Sequence, residues 1–149
     1  VTLLMSLRDL YQEMIIDHGK KPRNFGKLPN ASHSHQGHNP LCGDQCIVYL
    51  VERDQQIKAI QFEGSGCAIS VASASLMTEA IKGKTINEIV DLFNRFQQLV
   101  TGHESNQDLG KLEIFSGVAA FPARVKCATL AWHTLKAALN RDVQLVCTE

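Results

Sequence analysis

Apolar positions recur along most of the chain with two different periods. Leu7, Leu10, Tyr11, Met14 and Ile15 fall three and four apart, which predicts an amphipathic helix that fails near Gly19, ahead of Pro22. Ser6-Leu7-Arg8-Asp9 resembles a capping box at its start, with Asp9 in the position usually held by Glu. Residues 19–41 are dominated by Gly, Pro, Asn, Ser and His without any period, and predict a long loop of the kind that often carries function. Cys46–Glu52 and Ile57–Phe62 are rich in Ile, Val, Tyr and Phe around a polar Arg53-Asp54-Gln55-Gln56 connector, the pattern of an antiparallel hairpin.

Beyond Gly64-Ser65-Gly66 the helical period returns. Ile69, Ala72, Ser73, Leu76, Met77, Ala80 and Ile81 define the inner face of a helix of about four turns, stopped at Gly83. Thr85-Ile86-Asn87-Glu88 is a second capping box, and Ile86, Ile89, Val90, Phe93, Phe96 and Val100 form the inward stripe of the helix behind it. Residues 101–116 are polar and irregular, broken at Gly102 and Gly110. Pro122 suits the first turn of a last helix burying Val125, Ala128, Trp132, Leu135 and Leu139, and the tail from Arg141 to Glu149 is weakly patterned. Strands first and helices later predict an α+β fold, a small antiparallel β-sheet with helices packed on one face.

Composition narrows the function classes. At 149 residues and 44% apolar, the chain reads as a single domain over 1–149 that buries enough surface to fold without a metal. Met5 is a second candidate start, so residues 1–5 are expected to lie outside the packed domain. Fifteen basic residues balance fifteen acidic ones and none cluster, which argues against nucleic acid. No apolar run approaches the roughly 20 residues of a membrane span. Val1–Leu4 is too short for a secretory leader, and five cysteines, an odd number, point to reduced thiols in the cytoplasm.

Three of those cysteines sit where chemistry is easily hosted. Cys42 and Asp44 flank Gly43 at the mouth of the hairpin, and residues two apart on an extended segment share a side. Cys67 follows a Gly-Ser-Gly turn at a helix start, where the dipole favours a thiolate. Cys127 falls on the last helix just after Arg124 and Lys126. Three thiolates and one carboxylate suit tetrahedral Zn²⁺. Spacing alone leaves open the alternative that the three cysteines are separately buried. Cys46 reads as a small buried hydrophobe and Cys147 as a spare exposed thiol. His33, His35 and His38 crowd the loop before Cys42, more plausibly as part of a partner surface than as ligands. His18 and His133 read as helix histidines, and Ser70, Ser73 and Ser75 as close-packing residues.

Three separated segments, Asn39–Asp44, Gly64–Ser75 and Pro122–Trp132, resemble in order the signatures of the IscU/SufU/NifU N-terminal family of iron–sulfur cluster assembly proteins, and the likeness runs from about Leu7 to about Asn140. Within that family the chain is more similar to the SufU branch. IscU proteins carry His immediately before the last cysteine where this chain has Lys126, and their chaperone-recognition segment Leu-Pro-Pro-Val-Lys is here Phe121-Pro122-Ala123-Arg124-Val125-Lys126. The polar stretch Gly102–Ser116 resembles the SufU insertion.

The resemblance implies a SufE/IscU-like fold and a zinc ion held by Cys42, Asp44, Cys67 and Cys127. It implies that Cys42 accepts persulfide sulfur from a SufS-type cysteine desulfurase, which the protein stimulates, and that downstream iron–sulfur assembly proteins follow. Arg124 resembles a basic residue beside the SufU metal site; its other reading is a solvated helix-start charge. Two alternatives accompany this expectation. The first is an IscU-like scaffold building a [2Fe–2S] cluster on Cys42, Cys67 and Cys127. The second is a protein-binding module whose zinc is structural, which predicts that chelation unfolds the chain.

Overall fold

A computed structural model describes residues 7–103, 109–140 and 146–147. Helix α1 (Leu7–Lys20) leads to strands β1 (His33–Asn39), β2 (Asp44–Arg53) and β3 (Gln56–Ser65). Helices α2 (Ala68–Ile81) and α3 (Ile86–Val100), a run of 3₁₀ turns over Gly110–Ala120, helix α4 (Pro122–Leu139) and a short β4 (Val146–Cys147) follow. The sheet order is β3-β2-β1-β4, antiparallel except for the parallel β1–β4 pair. One sheet face buries Val48, Leu50, Ile57, Ile60 and Phe62 beneath α2 and α4. This is the expected α+β arrangement.

Both hairpins of the sheet follow from local chemistry. Asp54 and Gln55 take positive φ (56° and 63°), the two-residue turn whose twist matches that of the flanking strands. At the other hairpin Asn39 pairs with Asp44, leaving Pro40-Leu41-Cys42-Gly43 as a four-residue tip with Gly43 at φ +70°. The Thr85–Glu88 capping box forms in both directions and starts α3 as the sequence predicts. The proposed box at Ser6 begins outside the described residues.

Five expectations need correction. The stretch 19–41 is not all loop, because residues 33–39 form β1. Its inward positions are His33, His35, Gly37 and Asn39, so the strand is buried without one apolar side chain to announce it. His33 sits there because Nδ1 lies 3.0 Å from the Ala138 carbonyl and Nε2 3.6 Å from Glu52. His33 and His35 therefore belong to the core side of the sheet and not to a partner surface. The tail is not wholly unpatterned either: the backbone of 146–147 pairs with Gly37 and His38, placing Cys147 in a strand.

The remaining two concern the helical half. Val90, expected inward, is exposed, whereas Ile86, Val125 and Leu139 are half-buried at the core's margin. The polar irregular stretch 101–116 gives way at Gly110 to 3₁₀ turns that bury Leu112, Ile114, Phe115 and Val118. Phe115 meets Phe96 edge-on, and Phe96 stacks on Trp132 with ring centroids 4.5 Å apart. That aromatic column fixes α4 against α3. It also helps set where Cys127 falls.

Candidate metal centre

The three segments that carry the cysteines meet at one end of the sheet. Cys42 occupies the tip of the β1–β2 hairpin and is half-buried, while Asp44, the first residue of β2, is wholly buried. Gly66, at φ +134°, turns the chain from β3 into α2 directly against that carboxylate; a Cβ there would collide with Asp44 Oδ1. The close approach lets the Cys67 backbone N–H donate to Asp44 Oδ1 at 2.8 Å. Cys67 also serves as the N-cap of α2, its sulfur accepting from the Ser70 N–H at 3.4 Å.

Cys127 comes from the second turn of α4 and is fully buried. Ser73 locks α4 to α2 beside it, donating to the Ala128 carbonyl and accepting from Trp132 Nε1 at 3.1 Å. The Cys127 thiol lies 3.2 Å from Cys42 Sγ, and the buried Asn39 donates its amide N–H to Cys127 Sγ at 3.8 Å. Asn39 Oδ1 in turn accepts from the Leu41 N–H, so one side chain ties the hairpin tip to α4.

Among the described residues, Cys42, Asp44 and Cys127 bring their ligand atoms within 4.8 Å of one another. Cys67 stands at the margin of this group, its sulfur 3.9 Å from Asp44 Oδ2. Burial foremost, then hydrogen bonds with Asp44, Cys42 and Cys67, pushes the Cys127 thiol far above its ordinary range. Its side chain, beside that of Arg124, in turn holds the exposed guanidinium more firmly protonated, with help from Cys67. Arg124 thus neighbours the centre rather than facing solvent alone. Deprotonating Cys127 beside a buried carboxylate needs a nearby positive charge. The donor set is sulfur-rich with one hard oxygen, which fits Zn²⁺ or another thiophilic cation.

His33, His35 and His38 do not join this group. Cys46 faces the core instead, and burial pushes its thiol up to about 12, as expected for an inert packing residue. Sequence reasoning missed Asn39. Its position, immediately before the hairpin tip and paired with Asp44, is the available signal, hidden because β1 carries no apolar period.

Residues 10–141 match the NifU-like N-terminal domain family. The chain belongs to that family. It is 42% identical to the zinc-dependent sulfurtransferase SufU of Bacillus subtilis over 92% of this chain and 94% of that protein. It is 41% identical to the iron–sulfur cluster assembly scaffold protein IscU of Streptococcus pyogenes serotype M1, over 93% of this chain and 88% of the relative. A crystal structure described as an iron–sulfur cluster assembly scaffold protein for the SUF system, from Fervidobacterium islandicum, superposes with a TM-score of 0.82 at 37% identity, covering 90% and 99% of the two chains. The architecture of this family member is thus that of solved SufU-like structures. No helix among the described residues is long and apolar enough to cross a membrane.

Proposed function

We propose that the protein is a zinc-binding sulfur acceptor of cytoplasmic iron–sulfur cluster assembly. In this reading Cys42, Asp44, Cys67 and Cys127 hold the metal, and Cys42 takes sulfane sulfur from a SufS-type cysteine desulfurase that the protein stimulates. The observation that carries the proposal is the asymmetry of the cluster: Cys42 lies half-exposed on a hairpin tip while Cys127 and Asp44 are buried behind it. Bound there, zinc would keep the thiolates deprotonated and shield them from oxidation.

The chain's own residues supply access and placement. Gly43, with positive φ and nothing within 4 Å of where a Cβ would stand, leaves the approach to Cys42 unobstructed by a side chain. Leu41 and Phe121 are strongly exposed large apolar side chains, on the hairpin tip and just before α4. A groove of about 410 Å³ between α1 and the start of α4 is lined by Tyr11, Ile15, Ile69, Val118, Phe121 and Arg124. An apolar rim with one cation suits a protein partner delivering a persulfide. Arg124 beside Cys127 attracts the anionic persulfide and is assigned an auxiliary role.

The test is incubation of the zinc-loaded protein with a SufS-type desulfurase and cysteine, followed by intact-mass analysis. One added sulfur mapping to Cys42, and loss of desulfurase stimulation in Cys42→Ala, are the expected results. Full stimulation by Cys42→Ala refutes the acceptor assignment. The relatives named as IscU scaffolds favour a second reading, assembly of a [2Fe–2S] cluster on Cys42, Cys67 and Cys127. A brown product that passes its cluster intact to an apo-ferredoxin selects it over the first.

A further inference from the structure

The sulfur-acceptor reading assigns Cys42 the incoming sulfur but gives Cys127 no chemistry beyond ligation. Their geometry suits a second reaction. The two sulfurs lie 3.2 Å apart, so forming a bond of about 2.05 Å requires a closure of only about 1.1 Å. Cys42 rides on a hairpin tip that Asn39 links to Cys127 on α4, accepting from the Leu41 N–H and donating to Cys127 Sγ, so the tip is held against the second thiol. Cys127 is fully buried and Cys42 half-exposed, so a sulfur carried outward by Cys42 has Cys127 behind its Sγ. Attack at sulfur proceeds in line with the departing sulfur, and this is the side from which it must come.

We propose that Cys127 is a resolving thiol for a Cys42 persulfide, and that the pair releases the acquired sulfur as sulfide. The inference rests on the acceptor function above. Cys127 Sγ bonds to Cys42 Sγ as the Cys42 Sγ–S bond breaks. The outer sulfur takes that electron pair and the Cys127 proton and departs as hydrosulfide: Cys42–S–S⁻ plus Cys127–SH gives Cys42–S–S–Cys127 plus HS⁻. The sulfane sulfur is reduced by two electrons and the two cysteine sulfurs are oxidised to the disulfide. Release therefore uses no outside reductant; a dithiol supplied in trans resets the pair. Cys127 rather than Cys67 is set for this role, because Cys127 Sγ touches Cys42 Sγ whereas Cys67 stands outside the group of donors that lie within 4.8 Å of one another.

The experiment uses the full chain, its Cys127→Ser variant and, as a thiol control outside the site, Cys46→Ala. Each is loaded anaerobically with a cysteine desulfurase and cysteine, separated from both by gel filtration and treated with a chelator. Sulfide is trapped with bromobimane while intact mass is followed. The native chain and Cys46→Ala are expected to lose the added sulfur, release one sulfide per chain and end two hydrogens lighter than the thiol form. Cys127→Ser should keep its added sulfur at least about tenfold longer, the minimum expected when a positioned intramolecular attacker is removed. An acid-quenched digest of the native chain should contain a Cys42–Cys127 cross-linked peptide, which keeps the test decisive if a variant folds poorly. Equal persulfide lifetimes in the native chain and a folded Cys127→Ser, or no such peptide after sulfide release, overturn the resolving role and leave the acceptor role standing. Failure of the native chain to take up sulfur removes both.

Discussion

Gly66→Ala is the sharpest single test of how the centre is built. Gly66 combines two constraints, a φ of +134° and a Cβ position occupied by the Asp44 carboxylate. The first costs about 1–3 kcal/mol for an ordinary residue. The second pushes Asp44 away from the Cys67 N–H, whose hydrogen bond to a buried charged acceptor contributes about 1.5–3 kcal/mol. Partial relaxation brings the expected loss to about 3 kcal/mol, roughly a hundredfold in the folding equilibrium. Gly43→Ala is the matched control: its φ is +70° but nothing lies within 4 Å, so only the strain of about 1 kcal/mol remains. Urea unfolding of both variants measures the difference, and competition with a chromogenic chelator measures zinc affinity. Gly66→Ala should be the less stable of the two and should bind zinc more weakly. If Gly66→Ala proves no worse than Gly43→Ala on either scale, the Gly66–Cys67 turn does not position Asp44.

Three further outcomes follow from buried groups. Ser73→Ala orphans Trp132 Nε1 inside the core and should cost about 1–3 kcal/mol in a urea melt, with little change in exposed surface. His18 and His133 are held below the ordinary imidazole value of 6.5, mainly by burial. The unfolded chain then binds more protons than the folded one below about 6.5, so stability should be full above that pH and fall as pH drops through it. Urea melts at successively lower pH should show that limb, flattened in a His18→Asn, His133→Gln double variant. Cys46, with its thiol pushed up to about 12, should resist iodoacetamide in the native chain and react only on unfolding, read by peptide mapping.

How much of this was legible in the sequence depended on whether an element's inward residues were apolar. The β2–β3 hairpin and helices α2, α3 and α4 each carry a clear apolar period and lie where that period predicts. Strand β1 buries two histidines, a glycine and an asparagine, and it is stabilised by long-range partners such as the Ala138 carbonyl. No local pattern encodes such partners. The 3₁₀ turns after Gly110 were lost for a related reason: Leu112, Ile114, Phe115 and Val118 fit neither a helical nor a strand period.

The site shows the same division. Pairing Cys42 with Asp44 and placing Cys67 at a helix start follow from local geometry. Nothing near Cys127 says that it meets them; only the resemblance of three ordered motifs supplied that expectation, and the structure places Cys127 Sγ 3.2 Å from Cys42 Sγ. Asn39 escaped because its role is to join two distant segments.

The way the donors are distributed along the chain has a consequence for biogenesis. Cys42, Asp44 and Cys67 all belong to one contiguous hairpin-and-turn unit, whereas Cys127 arrives from α4. Non-local contacts are the slow ones to form. Under the proposed ligation, a young polypeptide would offer an ion an incomplete three-donor nest, and full coordination would wait until α4 has docked through Ser73 and Trp132. Tight capture of the cation would then proofread maturation, rewarding only those molecules whose two halves have closed on each other.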